Sequence, residues 1–73
     1  MIPPVPEIWP AEDGSPLSCR EKLKVLAENH VELAQMMRDT FEDAVLMGVD
    51  AEAMRGILAG MVKGLESPKR AAR

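Results

Sequence analysis

The sequence predicts a small all-α protein: an αα-hairpin of one long and one shorter helix, preceded by an extended Pro-rich N-terminal arm. Three observations favour this fold. A helix-start signal opens a long segment without Pro or Gly, a Gly-Val-Asp connection follows it, and a second segment with helical apolar periodicity comes next. The 73 residues, 47% hydrophobic and 29% charged, have a globular composition and room for one small domain.

Residues 1–17 form the predicted arm, which holds five of the six prolines. Pro fixes φ and removes a backbone donor, so an extended or polyproline-like conformation is expected. The segment Asp13-Gly14-Ser15-Pro16 is typical of a turn and ends the arm. The single Trp9 is expected either to strap over the helices of this chain or of a second copy, or to anchor in the pocket of another protein.

Residues 18–66 form the predicted hairpin, which opens with its long helix. Ser18 and Glu21 match a capping box, so this helix is expected over residues 19–47. Gly48 suits the left-handed position that ends a helix.

The shorter helix follows after a connection of three residues. Asp50 is a good N-cap, and the helix is expected over residues 51–66, before Ser67-Pro68. So short a connection makes the two helices antiparallel neighbours. Residues 67–73 form a basic tail that is expected to fray.

The long helix carries an apolar seam whose members alternate at spacings of four and three residues. Such a heptad pattern is typical of helices that pack along one stripe, here for about four heptads. Val25, Val31 and Met36 lie off the seam, and a single antiparallel helix cannot cover them as well. The sequence therefore predicts a second chain, with a dimeric four-helix bundle as the simplest arrangement. The seam comprises Cys19, Leu23, Leu26, His30, Leu33, Met37, Thr40, Ala44 and Met47.

Two further features point to partner binding. The long helix exceeds the short one by about 13 residues, which leaves the start of the seam uncovered by the hairpin. The short helix carries a G-x-x-x-G-x-x-x-G stripe, which either allows another backbone to approach closely or merely borders the core; both interpretations stay open. The candidate partner-binding residues are Trp9, Leu23, Leu26, His30, Leu33, Met37, Gly56, Gly60 and Gly64.

No catalytic, cofactor or metal site is predicted. His30 and Cys19 lie about three helical turns apart and cannot share a metal within one chain. Position 27 is Ala, so the Glu-x-x-His motif of di-metal bundles is missing. Both side chains are expected to be partly buried. Asp39, Glu42 and Asp43 are expected to form a solvated acidic surface or a docking patch for a basic partner.

These observations favour a non-enzymatic protein–protein interaction module, a small accessory or regulatory subunit that self-associates or docks on a larger protein through the seam. The alternative is a small nucleic-acid-associated regulator that uses the basic tail, although a net charge of −3 argues against it. A metal-dependent or catalytic bundle assembled at a dimer interface from His30 and carboxylates is a third hypothesis. A single Cys, no secretory signal and no membrane-length apolar run favour a cytoplasmic protein without membrane contact.

Overall fold

The computed structural model describes residues 3–69, which contain two helices and no strand. Helix α1 comprises Arg20–Leu46 and helix α2 comprises Ala51–Lys63. An all-α hairpin of one long and one shorter helix is therefore confirmed. Within this range, neither helix combines the length and apolar character that a membrane crossing requires. The chain divides into two compact units, Met1–Asp39 and Thr40–Arg73, and α1 contributes residues to both.

Helix α1 begins one residue later than predicted. Cys19 occupies the N-cap, because its carbonyl accepts a hydrogen bond of 2.9 Å from the Leu23 amide. Glu21 then stands at the second helical position rather than the third, where a capping box requires its partner. Within residues 3–69 no hydrogen bond joins Ser18 to Glu21, so the predicted capping box is wrong.

Gly48 ends α1 as the sequence predicts. Its φ is +109°, and its amide donates to the carbonyl of Val45 at 3.0 Å. The Val49 amide donates to the carbonyl of Ala44 at 2.9 Å. These two bonds form a Schellman motif, which satisfies carbonyls that the last helical turn leaves without partners.

Helix α2 begins at its predicted cap and ends earlier than predicted. Asp50 has extended backbone angles, and its carboxylate accepts a 2.9 Å hydrogen bond from the Ala53 amide. The helix ends at Lys63 rather than at residue 66, with Gly64 as its C-cap. The Gly64 amide is shared between the carbonyls of Gly60 and Met61 at 3.1 and 3.2 Å, so the last turn tightens. Closely spaced glycines weaken a helix, and this explains the early end.

The interior is very small. Met54 is the one buried hydrophobic residue among residues 3–69, and it keeps 8% of its surface exposed. Beside it on α2, Arg55 pairs with Glu52 and places its guanidinium 5.2 Å from the centre of the Phe41 ring. Among residues 3–69, thirteen large hydrophobic side chains are exposed, from Val45 at 37% to Leu46 at 85%.

Candidate protein-binding surface

The apolar seam of α1 is covered only in part. Five of the predicted partner-binding residues are half-buried: Trp9, Leu23, Leu26, His30 and Met37. No residue of α1 is fully buried. Each of these side chains therefore keeps part of its surface in contact with water. A partner that packs against them would bury that remaining surface.

In the first unit, the segment before α1 contacts the seam at His30. The Trp9 ring and the imidazole pack edge-to-face, with ring centroids 6.2 Å apart and planes at 79°. The His30 Nε2–H donates to the carbonyl of Pro3 at 3.1 Å. An edge-to-face aromatic pair contributes about 0.5–1.5 kcal/mol beyond its buried area. The arm of this chain thus covers part of the seam, as the strap interpretation of Trp9 requires.

A tight backbone reversal holds Trp9 in this place. The Leu17 amide donates to the carbonyl of Trp9 at 2.8 Å and so closes a loop of nine residues. At its tip Gly14 has a φ of +90°, and the Asp13 carboxylate accepts bonds of 2.9 and 2.7 Å from the amide and hydroxyl of Ser15. These bonds favour the ionised carboxylate, so the pKa of Asp13 lies below its ordinary value, with the Ser15 hydroxyl as the largest cause.

Beside the half-buried part of the seam, α1 presents large apolar side chains to solvent. Val25 is 53% exposed, Leu33 60% and Met36 64%. An open depression lies at the start of the same helix, lined by Leu17, Glu21, Lys22, Val25 and Leu26. Leu33 is thus the predicted seam residue on α1 that most plainly lacks cover.

In the second unit, α2 also displays apolar surface. Ile57, Met61 and Val62 are each more than half exposed. A Cβ added at Gly56 or Gly60 would meet nothing within 4 Å. Within residues 3–69, no atom beyond the neighbouring backbone of α2 itself comes close to either added Cβ, so both glycines leave room for another backbone. Gly64 caps the helix instead of extending the stripe along it.

The predicted acidic residues of α1 and the thiol before it lie at the surface. Cys19 is exposed, which corrects the expectation of a partly buried thiol, since the N-cap position places it outside the helix proper. Asp39 accepts a 3.0 Å hydrogen bond from Gln35 Nε2, and Glu42 and Asp43 are exposed. Among residues 3–69, no three His, Cys, Asp or Glu side chains are grouped in a way that could hold a metal ion.

Sequence reasoning missed the role of Pro3, whose carbonyl receives the His30 hydrogen bond. A backbone acceptor far along the chain leaves no signal in residue spacing. Val25 and Met36, in contrast, could be recognised in the sequence as apolar residues outside the seam, and the structure leaves both exposed.

Comparison with protein-family models, with curated proteins and with solved structures gave no significant match to this chain. The functional interpretation therefore depends on the residues and contacts described above.

Proposed function

We propose that this chain is a non-enzymatic protein–protein interaction module: a small accessory or regulatory subunit that self-associates or docks on a larger protein through the apolar seam of α1. The observation that carries the proposal is the shortage of interior. Among residues 3–69, one hydrophobic residue is buried and thirteen large ones are exposed. Large exposed apolar surface commonly marks a protein–protein interaction site.

The contacts of His30 support a structural role for this side chain. Its Nε2–H donates to the Pro3 carbonyl, and its ring packs edge-to-face with the Trp9 ring. A group held in this way positions the arm and the seam relative to each other inside the first unit. This favours an interface residue over a general base or metal ligand.

The alternative of a nucleic-acid-associated regulator depends on the basic tail. Arg70 to Arg73 lie outside the described residues, and no contact on α1 or α2 favours this alternative. We propose that the partner is another protein molecule, in the simplest case a second copy in a four-helix bundle. We also propose that the protein acts in the cytoplasm, without a cofactor and without membrane contact.

Aspartate substitutions along α1 test the proposal. Leu26→Asp places a charge on the half-buried part of the seam and should abolish both assembly and most of the helical signal. Leu33→Asp alters a side chain that is 60% exposed in the single chain, so it should abolish assembly with a smaller loss of helicity. Light scattering after size exclusion gives the mass, and circular dichroism gives the helicity.

Lys24→Asp is the control for the added charge, because Lys24 is exposed and lies away from the seam. It should leave mass and helicity as in the unsubstituted protein. Folded Leu26→Asp and Leu33→Asp variants with unchanged mass would contradict the proposal.

A further inference from the structure

We infer that a second copy of this chain binds antiparallel to the first along one exposed line of α1, the 22–39 line. The inference rests on the proposed function and deepens it by naming the occupant and the surface. The line lies beside the half-buried part of the seam and keeps heptad spacing within the first unit. All of its members are exposed: Lys22, Val25, Asn29, Glu32, Met36 and Asp39.

The order of side chains along the 22–39 line is self-complementary for an antiparallel pair. Read from its start, the line is basic, apolar, amide, acidic, apolar and acidic. Reversal in a second copy places Lys22 beside the partner subunit's Asp39 and Val25 beside the partner subunit's Met36. It also places the Asn29 amide, which donates, beside the partner subunit's Glu32 carboxylate, which accepts.

A parallel second copy would place like beside like at each of these levels. Lys22 would then face another lysine and Asp39 another aspartate, which costs free energy and disfavours the parallel orientation. The charges of α1 thus select the antiparallel orientation. Asp39 already accepts a hydrogen bond from Gln35, which orients its carboxylate at the helix surface.

The shape of the surface agrees with this pairing. The open depression between Leu17, Val25 and Leu26 lies at the level where the partner subunit's Met36 would arrive. Methionine is flexible and fills irregular apolar gaps well. On the seam side of the line, the 60% exposed Leu33 would pack against the partner subunit's Leu26.

Charge reversal in the full-length protein tests the inference. Lys22→Glu and Asp39→Lys each convert two symmetric attractions into repulsions, so each should raise the dimer dissociation constant by about tenfold. Lys22→Glu makes the net charge of −3 more negative and Asp39→Lys makes it less negative. A loss of affinity in both variants is therefore an effect of pairing and not of overall charge. An equimolar mixture of the two variants should form a heterodimer with an affinity close to that of the unsubstituted protein.

Lys24→Glu is the control, because Lys24 is exposed two residues along the helix and points to another side of it. Alone it should leave the affinity unchanged, and its mixture with Asp39→Lys should behave as a mixture of Asp39→Lys with the unsubstituted protein does. Sedimentation equilibrium with one variant fluorescently labelled measures each constant. The inference would be overturned if both charge reversals left the dimer dissociation constant unchanged. It would also be overturned if the mixture of the two variants bound no more tightly than each variant alone.

A monomer at all concentrations would also overturn the inference, but it has a different consequence for the proposed function. A monomer that melts without cooperativity still needs a partner, so docking on a larger protein survives. A monomer that unfolds cooperatively as a stable fold contradicts the proposed function as well.

Discussion

Replacing Gly60 by alanine should stabilise the protein, although a glycine stripe is commonly taken as a sign of close packing. Gly60 lies inside α2, and an added Cβ would meet nothing within 4 Å. Because alanine loses less backbone entropy in a helix than glycine, the free energy of unfolding should rise by about 1 kcal/mol. Gly56 is equally open, so the double variant should gain about 2 kcal/mol.

Gly48→Ala supplies the comparison. Its neighbourhood is also open, but its φ of +109° is one that an L side chain rarely adopts. This substitution should lower the free energy of unfolding by about 1–2 kcal/mol. The two substitutions are chemically identical, so backbone conformation alone decides the sign.

The assay is urea unfolding of the assembled protein followed by circular dichroism at 222 nm, with every variant at the same protein concentration and its mass measured alongside. A lower free energy of unfolding for Gly60→Ala at unchanged mass would refute the reasoning, since it would mean that the site is crowded. If the mass of Gly60→Ala falls instead, another molecule approaches α2 closely at this glycine.

Three further predictions concern the arm and the cap of α2. Trp9→Ala should lower the free energy of unfolding by about 1 kcal/mol through the lost aromatic pair. His30→Ala should shift the fluorescence emission of the single Trp toward that of the unfolded chain. Unchanged emission would mean that Trp9 does not pack on His30 in solution. Asp50→Ala should cost about 1 kcal/mol in thermal unfolding by removal of the N-cap bond, and an unaltered melting curve would argue against that bond. In a titration of carboxyl chemical shifts, Asp13 should titrate below its ordinary pKa, and Ser15→Ala should raise the midpoint. The pKa of Asp13 is lower in the folded protein than in the unfolded chain. The stabilisation of this turn is therefore present above the ordinary pKa and is lost as the pH falls through the folded pKa. Equal midpoints in the unsubstituted protein and in Ser15→Ala would contradict the described bonds.

Features that depend on local chemistry could be predicted from the sequence. Gly48 ends α1 because only its own backbone freedom is needed, and Asp50 caps α2 because its carboxylate reaches an amide three residues ahead. The capping box of Ser18 and Glu21 failed although it is local. The chain before α1 is tied back by the Leu17 bond to Trp9, and the helix begins one residue later than the motif requires.

Features that depend on distant contacts could not be predicted. Trp9 and His30 meet across 21 positions of sequence, and no spacing rule relates an arm to a helix at that separation. Leu33 and Met37 belong to the same predicted seam, yet the first is 60% exposed and the second half-buried. Periodicity places residues on one stripe, whereas burial depends on which other segment lies over each of them.

The most direct test of the missing interior is the mass of the unsubstituted protein in solution at several concentrations, with helicity followed on the same samples. Light scattering behind size exclusion should give about twice the chain mass of 8.0 kDa at high concentration, with helicity that falls on dilution as the dimer separates. A monomer whose helicity is full and independent of concentration, and which unfolds cooperatively, would contradict the account, because its interior would then be complete without a partner.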